Sequence, residues 1–408
     1  DKGLDILTII KRFRLPADFP EKVFNVADKI EEEIDPKEYK RRTDFRNLRM
    51  VTIDGEDAKD LDDAVSIERL PDGNYKLGVH IADVTHYVKE SNPLDKEALK
   101  RGTSVYLIDR VIPMLPKKLS NGICSLNPKV DRLTLSCIMT IDKNGKILDH
   151  EIHEGIIRTN ERMTYTDVTK ILRDKDEELI KKYDYLYDDF LAMEELANIL
   201  NKKRMRRGAI DFDFEEAKIT LNSLGKPIEI KPYPREIANR IIEEFMLACN
   251  ETIAEYMYWT NLPFVYRVHE NPDEEKLAKF REFIYNLGYT MKWTQDIHPR
   301  TLQEVLEKVK GKKEETVVST LLLRSMMKAR YSPESLGHFG LAARYYCHFT
   351  SPIRRYPDLQ IHRIIKEQIN GKIDSGRAKK LIGIVDYAAK QSSETERVAQ
   401  EADRKSVV

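Results

Sequence analysis

Between residues 49 and 88 the apolar positions alternate. Val51 and Ile53 come first, then Tyr75, Leu77, Val79 and Ile81, with Pro71-Asp-Gly-Asn74 as a turn between the runs. A period of two puts every second side chain on one side of a strand, so this segment predicts a β region containing a hairpin. The same pattern returns over 133–141 and 147–158, on either side of the turn signal Asp142-Lys-Asn-Gly145. Over 166–207 the period lengthens: Ile171, Leu179, Leu186, Leu191, Leu196 and Leu200 recur at helical spacing among charges, which predicts helix. A third strand signal covers 209–230 with a turn at 222–225. Beyond it the chain reads mainly as helix, and over 235–258 Ile237, Ile241, Phe245, Ala248 and Tyr256 mark one helical face.

Residues 1–45 place short apolar groups between charge runs such as Glu31-Glu-Glu33 and Lys40-Arg-Arg42, punctuated by Pro16, Pro20 and Pro36. This predicts a helical lead-in wrapped on a larger body. No internal repeat or low-complexity linker divides the rest of the chain. A sheet-rich first half and a helix-rich second half therefore predict a single α+β domain over 46–400, with 401–408 as the start of a linker.

Composition narrows the picture. A chain of 408 residues has room for one large domain or two ordinary ones. The 69 basic and 69 acidic residues give a formal net charge of zero, which excludes nucleic-acid binding driven by overall charge and leaves local basic patches to do that work. Cys124, Cys137, Cys249 and Cys347 stand far apart without a C-x-x-C pair, which argues against a zinc site or disulfide framework and for a reducing, cytoplasmic setting. No stretch reaches the roughly 18 apolar residues of a membrane span. The start at Asp1 without Met and the end at Val408 in a polar, helix-like stretch suggest a piece of something longer, with flanking modules missing.

Chemistry concentrates where the strand around Val51 and Ile53 runs out. Asp54, Asp57, Asp60, Asp62 and Asp63 follow in close succession. Ionised carboxylates about 4 Å apart repel by roughly 4 kcal/mol per pair at an effective dielectric near 20, so such a group folds comfortably around a cation or with some members in solvent. Hard oxygen ligands suit Mg²⁺, Mn²⁺ or Ca²⁺. A solvated acidic turn is the plain alternative. Against it stand the two β-patterned flanks and Gly55, which permits tight backbone geometry. A calcium loop of the EF-hand kind needs flanking helices and a Glu at its twelfth position, and neither is present.

The run Asp54-x5-Asp60-x-Asp62-Asp63 and the following His80-Ile-Ala-Asp-Val-Thr-His-Tyr87 resemble the catalytic RNB domain of the ribonuclease II and ribonuclease R family. Three further segments agree in order: Arg101-Gly-Thr-Ser-Val-Tyr106 with Pro113-Met-Leu-Pro116, Leu119-Ser-Asn-Gly-Ile-Cys-Ser-Leu-Asn-Pro128, and His348-Phe-Thr-Ser-Pro-Ile-Arg-Arg-Tyr-Pro-Asp358. The likeness spans about 45–400 and is nearer to ribonuclease R than to ribonuclease II. It implies an α+β RNB fold around a narrow RNA channel. It also implies processive, Mg²⁺-dependent 3′-to-5′ hydrolysis of single-stranded RNA to nucleoside 5′-monophosphates, with Mn²⁺ able to substitute. Asp54, Asp60, Asp62 and Asp63 match the four aspartates that serve metal and catalysis, Asp62 being the family's most critical one; Asp57 falls outside the pattern.

The same resemblance assigns Arg354 to the scissile phosphate, Tyr106 to a clamp on the 3′-terminal base, Phe212 to the far end of the base stack and Glu243 to the terminal ribose. Arginine can grip phosphate bidentately, aromatic rings stack on any base, and a carboxylate accepting from a 2′-hydroxyl helps tell RNA from DNA. Each has a plainer reading. Arg354 and Asp358, four apart, could form only a surface ion pair on a helix that Pro352 opens. Phe214 could be confused with Phe212, and Glu243 with Glu244. The basic run Lys202-Lys-Arg-Met-Arg-Arg207 could guide phosphates but more often forms a solvated face, and lone histidines such as His80, His86, His348 and His362 are usually structural. Taken together the sequence predicts a monomeric, cytoplasmic exoribonuclease core acting on RNA with a free 3′ end. The alternatives are a pseudonuclease that keeps the fold and binds RNA without cleavage, and a metal-dependent phosphodiesterase acting on another nucleic acid.

Overall fold

A computed structural model describes residues 4–211, 216–222, 227–292 and 297–407. The strands are β1 (Thr43–Asp44), β2 (Val51–Asp54), β3 (Asp63–Arg69), β4 (Tyr75–Ala82), β5 (Val105–Leu107), β6 (Arg110–Ile112), β7 (Asp131–Ile141), β8 (Ile147–Arg158), β9 (Glu161–Thr164), β10 (Glu216–Leu221), β11 (Pro227–Tyr233), β12 (Tyr266–Val268) and β13 (Arg330–Ser332). The α-helices are α1 (Leu4–Arg12), α2 (Glu21–Asp28), α3 (Pro36–Arg41), α4 (Pro93–Arg101), α5 (Tyr165–Thr169), α6 (Glu177–Lys182), α7 (Asp184–Arg207), α8 (Ile237–Trp259), α9 (Glu274–Asn286), α10 (Pro299–Val309), α11 (Glu315–Ser325), α12 (Tyr356–Ile369) and α13 (Ser375–Val407).

Seven strands form one mixed sheet in the order β1-β8-β7-β4-β3-β2-β9. The centre is an antiparallel meander, while β1 pairs with β8 and β9 with β2 in parallel. The alternation read from the sequence sorts its two faces. Val65, Ile67, Leu77, Val79, Ile81, Leu135, Cys137 and Met139 bury one face against Phe190, Met193 and Leu196 of α7 and Ile241, Phe245 and Cys249 of α8. On the other face Ala64 and Ala82 meet Val23 and Ala27 of α2, Leu94 and Ala98 of α4, and Leu359 of α12. The architecture is α+β with a mixed sheet, as the pattern predicts.

One buried polar chain crosses that second face. His80 is fully buried; its Nε2 lies 2.9 Å from Ser66 Oγ and its Nδ1 2.8 Å from Ser136 Oγ, which in turn meets Thr134 Oγ1 at 2.8 Å. Gly78 makes room for it. A Cβ there would overlap Ser66 Oγ and stand 2.6 Å from His80 Nε2, closer than packing tolerates.

The helix ends follow local chemistry. Asn92 caps α4 by accepting from Asp95 N, with Pro93 in the first turn, where its missing N–H costs nothing. Glu236 and Asn239 form a reciprocal capping box at α8. Three helices, α9 to α11, close over their own apolar cluster of Leu277, Phe280, Ile284, Leu302, Val305 and Leu322. The segment before β1 holds three short helices, and Ile6 and Ile10 of α1 pack with Val105, Leu107 and Ala402. Residues 401–407 are the last turns of α13. No helix among the described residues is long and apolar enough to cross a membrane.

Candidate active site

The acidic loop leaves the end of β2 at Asp54 and re-enters the sheet at the start of β3 with Asp63, so sheet pairing fixes both of its ends. Asp54, Asp57, Asp60, Asp62 and Asp63 all line one cavity of about 670 Å³, together with Tyr106, Glu243 and Arg354. Seven of the eight residues assigned by resemblance thus meet at one place. The eighth, Phe212, lies outside the described residues.

Asp62 is the most enclosed of the four, at 4% exposed. Its Oδ1 accepts from Ile353 N at 2.9 Å, and Oδ2 lies 3.8 Å from Arg354 Nε. Burial raises the carboxyls of Asp62, Asp54 and Asp63, the last to about 7 with Asp54 as second cause; Arg354 opposes the rise at all three. A group of carboxyls pushed upward by burial and by one another is a site short of positive charge.

Arg354 comes from a turn and not from a helix. Residues 352–354 form that turn, α12 begins at Tyr356, and Pro357 takes the first-turn place expected of Pro352. The shift has a clear cause: Ser351 N donates to Asp358 Oδ2 at 2.8 Å, and Arg355 N to Ser351 O at 3.0 Å, which close the turn before the helix starts. Asp358 is fully buried and pairs with Arg355 at 2.8 Å. The expected alternative of an Arg354–Asp358 surface pair is therefore not formed. Arg354 donates to Ser351 Oγ at 3.0 Å and keeps its side chain 44% exposed toward the cavity.

Tyr106 sits in the β5–β6 hairpin with 43% of its surface exposed. The strand leading to it is fastened to the arginine turn: Ser104 N and Thr103 Oγ1 both donate to Arg354 O, at 2.9 and 3.2 Å, and Tyr356 N donates to Gly102 O at 2.9 Å. Gly102 has φ +69°, and a Cβ there would overlap Thr395 of α13.

α8 separates the two candidate glutamates. Glu243 lines the cavity and accepts from Arg235 at 2.5 Å, whereas Glu244 points away, buried, and accepts from Arg204 at 2.7 Å. The basic run behind Arg204 is largely tied up, since Arg207 pairs with Glu251 and Lys203 donates to Gly145 O. His80 is structural, and His362 Nε2 meets Phe349 O at 2.6 Å. His348 does line the cavity, with Nδ1 2.9 Å from Tyr331 Oη. Tyr165, Asn250, Tyr346 and Ser351 are among the other lining residues. Ser351 and His348 fall inside a quoted motif; Tyr165, Asn250 and Tyr346 carry no sequence signal, because only folding brings α5, α8 and the segment before His348 to the loop.

The donor set suits a hard divalent cation. By their placement, however, no group of three or more His, Cys, Asp or Glu side chains among the described residues is gathered so as to hold a metal ion.

The chain is 49% identical over 405 residues to Ribonuclease R 1 of Lactococcus lactis, covering 99% of this chain and 49% of that protein. It is 47% identical to Ribonuclease R of Thermotoga maritima, covering 99% and 57%. The chain thus spans about half the length of these curated relatives. The structure of Mycoplasma genitalium RNase R in complex with ribose-methylated single-stranded RNA superposes with a TM-score of 0.93 at 30% identity, over 100% of this chain and 64% of that one. Yeast Ssd1, a pseudonuclease, shares the fold at TM-score 0.79 and 21% identity, over 100% and 50%. The RNB domain itself matches residues 42–371, a span holding every site residue named above, and the chain belongs to the RNB-domain family.

Proposed function

We propose that this chain is the catalytic part of a cytoplasmic, monomeric exoribonuclease that degrades single-stranded RNA processively from its 3′ end, releases nucleoside 5′-monophosphates and depends on Mg²⁺. The observation that carries the reading is the convergence of four aspartates, Arg354, Tyr106 and Glu243 on one cavity. Asp54, Asp60, Asp62 and Asp63 would hold the metal, which when bound activates water and offsets charge on the scissile phosphate. Arg354 binds and neutralises that phosphate from an exposed guanidinium. Tyr106 offers a ring to the terminal base, and Glu243 an acceptor to the terminal 2′-hydroxyl. The relatives named ribonuclease R support hydrolysis of RNA, and the RNA bound in a neighbouring structure supports RNA binding. A pseudonuclease reading gains nothing from the fold it shares with Ssd1, since all four motif aspartates are present and face the cavity.

The test is a time course on RNA labelled at the 3′ or the 5′ end, with and without Mg²⁺, beside DNA of the same sequence. Immediate release of a 3′ label as mononucleotide, passage of the 5′ label from full length to a short limit fragment without accumulated intermediates, and loss of both in EDTA is the expected result. Binding without cleavage under every metal would return the pseudonuclease, and equal attack on DNA the general phosphodiesterase.

A further inference from the structure

The acidic loop has to hold its carboxylates in place across eight residues that belong to no strand, from Gly55 to Asp62. Its second half is fastened by the Ser125 side chain and by main-chain groups, Ala82 N donating to Asp62 O at 2.9 Å. Ser125 Oγ donates to Lys59 O at 2.7 Å and accepts from Leu61 N at 3.0 Å, and Leu126 N donates to Leu61 O at 2.9 Å. Its first half is fastened by Arg162, with Thr166 Oγ1 also donating to the Glu56 carboxylate. Arg162 Nη2 lies within hydrogen-bond distance of three loop carbonyls, 3.0 Å from Gly55 O, 2.8 Å from Glu56 O and 2.8 Å from Ala58 O. Within the loop itself the first half has one backbone bond, Ala58 N to Gly55 O at 3.2 Å.

Arg162 is well placed for this. It lies on β9, opposite Thr52 in the parallel pair that β9 makes with β2, so its own backbone is held by the strand from which the loop departs. A planar guanidinium carries several donors at fixed angles and keeps its charge at any working pH. Three carbonyls turned toward one cation form a closed corner that no apolar side chain, and no single amide, could replace. Lysine would keep the charge but not the rigid planar head that holds Nη2 at this corner, from which all three bonds come. The same guanidinium also opposes the upward drift of the Asp54 carboxyl, after burial, the Gly55 N–H, Asp60 and Arg354.

We propose that Arg162 is a positioning residue for the acidic site: by gathering the carbonyls of Gly55, Glu56 and Ala58 it sets the path by which the loop leaves Asp54, and thereby the placement of Asp54 relative to Asp60 and Asp62, which the second half of the loop carries. It touches neither substrate nor reacting atoms. The inference rests on the exonuclease reading given above for its kinetic arm, and on the carboxylate site alone for its binding arm.

The experiment compares wild-type chain with Arg162→Ala and Arg162→Lys. It measures Mn²⁺ binding by calorimetry without RNA, single-turnover cleavage of a long single-stranded RNA, and both again in added guanidinium chloride at millimolar, non-denaturing concentration. Residues that orient a metal site from behind its ligands typically govern about 10- to 100-fold in metal affinity or activity. Arg162→Ala is expected to lose Mn²⁺ affinity and cleavage rate in that range with RNA affinity little changed, and to recover part of both in guanidinium; Arg162→Lys should fall between. Wild-type Mn²⁺ affinity and rate in folded Arg162→Ala would overturn the proposal. If Arg162→Ala does not fold by circular dichroism, Arg162→Lys decides: parameters equal to wild type would overturn the proposal, and a weakened Mn²⁺ site would support it. If the wild-type chain itself cleaves no RNA, the exonuclease reading fails, while the calorimetric comparison still tests Arg162.

Discussion

The backbone N–H of Ile353 donates to Asp62 Oδ1 at 2.9 Å across 291 positions of sequence. This bond ties the acidic loop to the turn that carries Arg354, so that the carboxylate with least freedom and the cation facing the same cavity move as one piece. It also leaves Oδ2 as the oxygen of Asp62 that faces Arg354.

Asp62→Asn should abolish cleavage while preserving or slightly strengthening RNA binding. The amide keeps an oxygen to accept from Ile353 N and deletes one negative charge beside the phosphate, so the loss lies in the transition state and appears in kcat. A mutant with a normal melting curve that keeps more than about a tenth of the wild-type rate, a penalty below roughly 1.4 kcal/mol, contradicts the assignment.

Tyr106→Ala should lengthen the shortest fragment that resists degradation and leave hydrolysis of long RNA measurable. Stacking is worth roughly 1–3 kcal/mol per base and matters most when few other contacts remain. Denaturing gels of end products resolve the shift; an identical limit fragment would remove Tyr106 from the clamp.

Glu243 and Glu244 should separate cleanly. Glu244→Gln leaves the buried Arg204 charge without its partner, so it should cost about 3 kcal/mol of stability in urea titration. Glu243→Gln breaks a partly exposed pair with Arg235 and should cost less than about 1 kcal/mol, while narrowing the preference for a 3′-terminal ribonucleotide over a deoxynucleotide. Equal stability losses, or an unchanged ribose preference, would show that the cavity-facing position of Glu243 is incidental.

Acid should weaken the fold through His80. Burial, with His153 adding to it, holds its pKa down to about 3 against an ordinary 6.5. A depressed histidine binds fewer protons folded than unfolded, so its contribution is full above pH 6.5 and is lost progressively as pH falls toward 3. From this group alone the loss between pH 7 and 5 is about 2 kcal/mol. Urea melts across that range should show it, and His80→Gln, if folded, should flatten the slope; a mutant as pH-sensitive as wild type would assign the effect elsewhere.

The period-two runs around Val79 and Cys137 and the helical face of Ile241 and Phe245 were legible because each side chain faces one core and repeats along one element. The acidic loop was legible for a different reason: five carboxylates so close together are costly without a purpose. The β5–β6 hairpin was not, since two strands of three residues contain no period to count. Arg162 was invisible in sequence because its role depends on β9 lying parallel beside β2, a pairing between strands 110 positions apart. Arg355 taking Asp358 in place of Arg354 was equally hidden, being decided by the turn at 352–354 that delays the start of α12 to Tyr356.

The hydrogen bonds from Thr103 and Ser104 to the carbonyl of Arg354 make the Tyr106 ring and the Arg354 guanidinium two jaws of a caliper whose hinge is main chain. Side-chain motion can open each jaw slightly, but the gap between them is set by strand geometry. A polymer drawn past such a gauge stops at the same offset after every cut, so a stride of one nucleotide would follow from backbone spacing, with no part of the protein required to count.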